Sequence, residues 1–232
     1  MRALTFIIDP ATGSLTVEGL GPDSTSVPPA DLLPAPHEVN CARPAAVPPL
    51  ARSARMPGVC EQMLQVACLY HGSVIDGPGR RSVLQVQGCL GRCSGCYVPY
   101  THDQSAGTAL PVAVVLAALL SSAGEPRDGV SVTGGEPFLQ PAGLLALLRV
   151  LRAAGQHTTV YTGYTLAALS VRPEPEVRAA LSLIDLLIDG PYVAGLAEGA
   201  GEWRGSRNQH LIHHPGSLPS PSNGACPESH PG

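Results

Sequence analysis

Apolar and polar positions follow two rhythms between residues 83 and 188. Short stretches at 83–87, 130–133, 158–161 and 184–188 read as strands, and helical spacing fills the intervals between them. Helices are predicted over 110–121, 141–154 and 174–183. In the second of these, Leu144, Leu147, Leu148 and Leu151 share one face. Pro141 opens that helix and Gly155 stands just past its end, both favoured positions. The β-α-β-α rhythm predicts an α/β fold with parallel strands joined by crossover helices. In such sheets ligands gather beyond the carboxyl ends of the strands.

The flanks lack this pattern. Residues 1–62 hold ten prolines. Within them, 3–9 and 14–19 around Pro10-Ala11-Thr12-Gly13 predict a small β-hairpin, and the rest reads as linker. Pro, Ser and Gly again dominate 214–232, which reads as a disordered tail. The expected organisation is a Pro-rich extension over 1–62, a core domain over 63–213 and a tail, with Met63 a candidate translation start. All 14 basic residues are arginine, and Ala, Gly and Pro abound. That looks like a nucleotide-composition bias, so a Pro-rich stretch is not by itself read as functional.

A net charge of −4 provides no strong field for nucleic acid or an anionic membrane. The apolar run at 110–120 is shorter than the roughly 20 residues that span a bilayer. The N-terminus carries one arginine and no sustained apolar segment, so no signal peptide is expected and the cytoplasm is the expected location. Seven cysteines make an odd, uneven set. Three crowd into Cys89-Leu90-Gly91-Arg92-Cys93-Ser94-Gly95-Cys96, directly after the first core strand, while Cys41, Cys60, Cys68 and Cys226 are scattered. Crowded thiols without an export signal suggest a metal site rather than disulfides.

A C-x3-C-x2-C loop can place three thiolates on one face of an iron–sulfur cubane and leave the fourth iron open to a ligand. Structural zinc is the other reading of the same spacing, with His102 or Cys68 recruited as a fourth ligand. Thr133-Gly134-Gly135-Glu136-Pro137 ends the second core strand. Its glycines let a small charged ligand approach the backbone, and Glu136 can pair with an ammonium group. Taken alone it also reads as an ordinary turn. Asp76-Gly77-Pro78-Gly79-Arg80 precedes the first core strand, Tyr161-Thr162-Gly163-Tyr164 follows the third, and Trp203-Arg204-Gly205-Ser206-Arg207-Asn208-Gln209 follows the fourth.

Together these segments resemble the radical S-adenosylmethionine superfamily, and within it the activases of glycyl-radical enzymes. The cysteine loop and the GGEP turn carry the first resemblance. The DGPG segment carries the second, and the W-R-G-S-x-N-Q run is similar to that of the anaerobic ribonucleotide reductase activating family. The likeness spans residues 71–212. It implies a short, incomplete parallel β/α barrel holding a [4Fe–4S] cluster and S-adenosylmethionine. Cys89, Cys93 and Cys96 are then the iron ligands. Gly134, Gly135 and Glu136 lie along the methionine portion, and Gly95, Cys96 and Tyr97 line the adenine and sulfonium side. Gly95 stands where many members place an aromatic residue, and Tyr97 follows immediately. The implied reaction is reductive cleavage of S-adenosylmethionine to a 5′-deoxyadenosyl radical, which takes hydrogen from a glycine of anaerobic ribonucleoside-triphosphate reductase. A low-potential donor such as flavodoxin or ferredoxin supplies the electron. Trp203, Arg204, Asn208 and Gln209 are the candidate partner-binding residues. The alternatives are another glycyl-radical enzyme of the pyruvate formate-lyase type or a small molecule as substrate, and a non-catalytic zinc-stabilised binding module.

The composition boundary at residue 62 yields a first prediction. A chain begun at Met63 binds as much iron after anaerobic reconstitution as the full chain does. Loss of iron or of soluble expression on truncation would show that residues 1–62 support the core.

Overall fold

The computed structural model describes residues 5–8, 15–18, 62–120 and 127–217. The chain divides into two units, 1–41 and 42–232. In the first, strands β1 (Thr5–Ile8) and β2 (Leu15–Glu18) pair antiparallel, with Thr5 opposite Glu18. The linker expected after them and most of the expected tail lie outside the described residues.

The second unit is built on one sheet. Its strands are β3 (Met63–Ser73), β4 (Arg81–Val86), β5 (Thr108–Pro111), β6 (Gly129–Gly134), β7 (His157–Tyr161), β8 (Leu186–Asp189) and β9 (His210–His213). The order across the sheet is β5-β3-β4-β6-β7-β8-β9. The four central strands β4, β6, β7 and β8 run parallel, as the β-α-β rhythm predicts. Antiparallel strands flank them, β3 and β5 on one side and β9 on the other. The fold is therefore mixed α/β with a parallel centre.

Helices α1 (Val112–Leu120), α2 (Pro141–Ala153), α3 (Leu166–Ser170) and α4 (Pro175–Leu181) connect the strands. Helix α1 starts later than the apolar run suggests, because residues 108–111 pair with β3 before the helix begins. The end of α2 is closed by a Gly155 with φ +67°. There Gly155 N–H reaches Arg152 O and Gln156 N–H reaches Leu151 O, satisfying carbonyls that the helix leaves open.

The parallel register gives the sheet two unlike faces. Leu84, Val132, Val160 and Leu187 stand in one row and, with Leu144, Leu147, Leu148 and Leu151 of α2, belong to the hydrophobic core. On the opposite face Gln85, Thr133 and Tyr161 form one row and Ser131 and Thr159 the next. Among them lies Arg81, only 1% exposed. Its Nε donates to Ser131 Oγ at 3.0 Å. Its Nη2 donates to Thr159 Oγ1 at 3.0 Å and to Val130 O at 2.7 Å, and Nη1 donates to Pro78 O at 3.2 Å. Burial lowers this guanidinium to about 10, so it stays protonated at neutral pH.

Arg81 closes the amino-terminal end of the inner face by satisfying hydroxyls and carbonyls that no apolar side chain would serve. Arg81→Met leaves these acceptors buried without donors, so we expect a loss of about 3 kcal/mol or more in urea unfolding. A loss under about 1 kcal/mol would mean that water serves the acceptors instead.

Candidate active site

The site grows from a backbone junction. Past the ends of β4 and β6, Gly135 N–H donates to Val86 O and Glu136 N–H donates to Gly88 O, both at 2.8 Å. The two chains run so close that a Cβ on Gly135 would overlap the Gly88 carbonyl, and Gly134 adopts φ +96°. The GGEP turn is thus bonded to the residue directly before Cys89. The cysteine loop is closed at its base in turn, by Gly88 N–H to Thr101 O at 2.8 Å and Cys89 N–H to His102 O at 3.2 Å.

Within the loop, a Cβ on Gly91 would sit 3.5 Å from Cys89 Sγ and 3.8 Å from Cys93 Sγ, and Cys96 N–H bonds to Cys93 O. All three thiols are free and half-buried. Burial pushes the Cys89 thiol up, opposed by the backbone N–H groups of Gly91 and Arg92, while Glu136 and Cys93 push it further. A bound metal would reverse that balance. Among the described residues, no group of three His, Cys, Asp or Glu side chains converges as a single-ion site. Cys68 is buried and disulfide-bonded, so it supplies no fourth thiolate.

A cavity of about 670 Å³ opens at the carboxyl ends of the parallel strands, and the separate motifs meet in it. Cys89, Cys93, Cys96 and Tyr97 line one part; Gly134, Gly135 and Glu136 line another; Trp203, Arg204 and Gln209 line a third. Gly95 lies behind the wall, where a Cβ would meet Ala194 at 3.4 Å and the Tyr192 ring at 3.7 Å. Asn208 is not among the lining residues. Its Nδ2 donates to Pro191 O at 2.7 Å. The Gln209 amide is likewise committed to its own chain, with Oε1 accepting from Gly205 N–H at 2.8 Å and Nε2 donating to Gly190 O at 2.9 Å. Of the four residues expected to meet a partner, only Trp203 and Arg204 have side chains not fixed in this way.

Glu136 is more deeply engaged than the sequence suggests. It is buried, and Oε1 accepts from Phe138 N–H at 3.0 Å and Thr162 Oγ1 at 2.9 Å, while Oε2 accepts from Gly163 N–H at 2.8 Å. The carboxylate therefore stitches the turn after β6 to the loop after β7. Burial pushes its carboxyl up, against the opposing pull of those donors and of Arg172.

Several cavity residues carry no individual sequence signal. Tyr192 packs on Tyr97 with ring centroids 4.9 Å apart. Asp76, inside the DGPG segment, reaches the cavity, with its Oδ2 held by Ser73 Oγ at 2.5 Å and Tyr70 Oη at 3.0 Å. The Gly-Pro pair at 190–191, directly after β8, was the one local hint that Tyr192 follows a strand end. Asp76 was marked by its motif but not by any role.

Known proteins resemble this chain across the segment that carries these motifs. The 4Fe-4S single cluster domain family matches residues 75–212, which makes this an iron–sulfur protein of the single-cluster class. An anaerobic ribonucleoside-triphosphate reductase-activating protein of Vibrio cholerae is 36% identical over 151 residues, 62% of this chain and 94% of that protein. Its counterpart in Escherichia coli strain K12 is 34% identical over 152 residues, 62% of this chain and 95% of that protein. The chain belongs to this family of activating proteins. A pyruvate formate-lyase-activating enzyme of Clostridium pasteurianum is 38% identical over 95 residues, 39% of this chain and 40% of that enzyme. Among the described residues no helix is long and apolar enough to cross a membrane.

The engagement of Glu136 is testable. Glu136→Gln sets an amide NH2 against one of three donors, which should cost about 1–3 kcal/mol of stability. The folded carboxyl value is raised, so its stabilising contribution is present at low pH and declines as pH rises through that value. The advantage of Glu136 over Gln in thermal unfolding should narrow on the same course. An advantage that widens with pH would show that the ionised form is the one the fold prefers.

Proposed function

We propose that this chain reductively cleaves S-adenosylmethionine and installs a glycyl radical on anaerobic ribonucleoside-triphosphate reductase, in the cytoplasm. The observation that carries the reading is the meeting of the cysteine loop, the GGEP turn and the W-R-G-S segment in one cavity. It is supported by a span of 94% of the length of an activating protein at 36% identity. The match to the pyruvate formate-lyase-activating enzyme covers 40% of that enzyme, which favours the reductase as partner.

In this reading Cys89, Cys93 and Cys96 hold the irons of a [4Fe–4S] cluster. Held there, such a cluster would supply one-electron chemistry, with the electron drawn from a donor such as flavodoxin or ferredoxin, for the reductive cleavage of S-adenosylmethionine to methionine and a 5′-deoxyadenosyl radical. The chain's own residues would hold the methionine portion along the backbone of Gly134 and Gly135, both of which line the cavity. Tyr97, backed by Tyr192, offers a ring face to the adenine side. The linear seven-strand order with its parallel centre fits a short, incomplete barrel, whose open side admits a partner's loop. Trp203 stands at the cavity as an anchor for that loop.

Anaerobic reconstitution tests the reading. The protein should take up about four irons and absorb broadly near 400 nm. It should release 5′-deoxyadenosine and raise a glycyl-radical signal in electron paramagnetic resonance when mixed with the reductase. Single Cys→Ala changes at 89, 93 or 96 should abolish cleavage, whereas Cys41→Ala should not. Trp203→Ala should lower the radical yield on the reductase more than it lowers partner-free cleavage. A colourless protein, or a cluster that survives Cys93→Ala, would overturn the assignment.

A further inference from the structure

The cavity has a floor as well as a rim. The rim is the cysteine loop and the GGEP turn, at the strand ends. The floor is the DGPG segment, which crosses the polar inner face of the sheet at the level of Ser131 and Thr159. Ser131 Oγ donates to Asp76 O, and a Cβ on Gly77 would lie 3.0 Å from Thr159 Oγ1. Ser131 stands three residues, roughly 10 Å, before the Gly134 end of β6. Ile75 and Asp76 line the cavity from this level.

A run of polar side chains joins rim to floor. Tyr100 sits in the short turn Pro99–Thr101 that follows the cysteine loop, and Gln87 Nε2 donates to its carbonyl at 3.0 Å. The Tyr100 hydroxyl donates to Gln85 Oε1 at 2.5 Å. Gln85 is buried and lines the cavity, and Gly134 makes room for it, since a Cβ there would lie 2.8 Å from Gln85 Cβ. Tyr70, on β3, donates its own hydroxyl to Asp76 Oδ2 at 3.0 Å, and Ser73 Oγ donates to the same oxygen at 2.5 Å. Burial first, and Asp76 next, push the Tyr70 phenol above its ordinary value, while the neighbouring Gln85 amide pulls it down. Tyr70 therefore stays protonated and keeps an O–H to donate. With Oδ2 held by two donors, the Asp76 carboxylate cannot turn freely.

We infer that Tyr70 is a positioning residue for hydrogen transfer to the partner: through Asp76 it sets the depth of the cavity floor below the cysteine loop, to which Gln85 and Tyr100 tie it. The inference rests on the proposed function for the identity of the reaction. Cleavage of S-adenosylmethionine needs the rim, where the cysteine loop and the GGEP turn lie. Transfer needs the floor too, because ligand and partner loop must share the space between. In that step a C–H bond forms on the 5′-deoxyadenosyl carbon as the Cα–H bond of the glycine breaks, leaving the glycyl radical. Such a step is sensitive to placement, and an error of about 1 Å can cost about 100-fold. Loss of the Tyr70 hydroxyl removes one of the two bonds on Asp76 Oδ2 and leaves the ring in place, so the floor loosens without emptying.

The test uses the full chain, reconstituted anaerobically and mixed with the reductase. It compares the unsubstituted chain with Tyr70→Phe, Asp76→Ala and the double variant. The readout is the glycyl radical, by electron paramagnetic resonance, per 5′-deoxyadenosine released, with iron content recorded for each. Tyr70→Phe should lower this ratio about 3- to 10-fold at undiminished iron content. In the Asp76→Ala background the same substitution should shift it by less than about 2-fold, because the group it acts through is gone. Without reductase, hydrogen–deuterium exchange over residues 74–79 should quicken in Tyr70→Phe. An unchanged ratio or unchanged exchange in Tyr70→Phe would overturn the inference. So would a full effect of the substitution in the Asp76→Ala background. Iron, 5′-deoxyadenosine and radical falling together at a constant ratio would mark a structural role and overturn it as well. If the unsubstituted holoprotein raised no radical on the reductase, the proposed function would fall, and this inference with it.

Discussion

Two backbone hydrogen bonds past the ends of β4 and β6 hold the rest of the site in place: Gly135 N–H to Val86 O and Glu136 N–H to Gly88 O. They extend the parallel register by a further step and bring the GGEP turn against the base of the cysteine loop. Position 135 admits only glycine because any side chain would overlap the Gly88 carbonyl. Glu136, fixed by that junction, then ties in Thr162 and Gly163 after β7. One close approach thus aligns three successive strand ends, and the cavity is the space that remains in front of them.

The division of the sheet into unlike faces has the same origin. In a parallel sheet residues in register share a face, so one row of Leu and Val can meet the helices only if the next row points the other way. The rows that point the other way include Ser131 and Thr159, and next to them Gln85 and Tyr161, and such polar side chains need donors and acceptors of their own. Arg81 supplies donors at the amino-terminal end, and the cavity occupies the carboxyl-terminal end. The polarity of the inner face therefore follows from the site it supports, and the stability of the sheet comes mostly from its other side.

The segment after β8 shows how one run can divide its labour. Asn208 and Gln209 spend their amides on the chain's own backbone and so set the path of the loop. Trp203 and Arg204 are then presented to the cavity from a backbone that carries strain at residue 203. Rigid amides behind and two adaptable side chains in front make a wall that can be definite in position and still meet a ligand.

Much of this was legible in the chain itself. The spacing of Leu144, Leu147, Leu148 and Leu151, with Pro141 before and Gly155 after, defined α2 because those choices are local. The parallel centre followed from alternating periods, and the cysteine spacing and GGEP turn marked the chemistry because both depend on residues close in sequence. The alternation of Leu64, Val66 and Cys68 is equally local and fits β3, a strand that stands outside the β-α alternation and pairs antiparallel with β4. β9 offered almost no signal: its four residues are an exposed edge strand whose pairing with β8 is a tertiary event. What only the folded chain decided was the company each motif keeps. That Glu136 is consumed by Gly163 and that Gln209 turns inward both depend on contacts between residues far apart in sequence. No local pattern encodes such contacts, because the register of the sheet sets them.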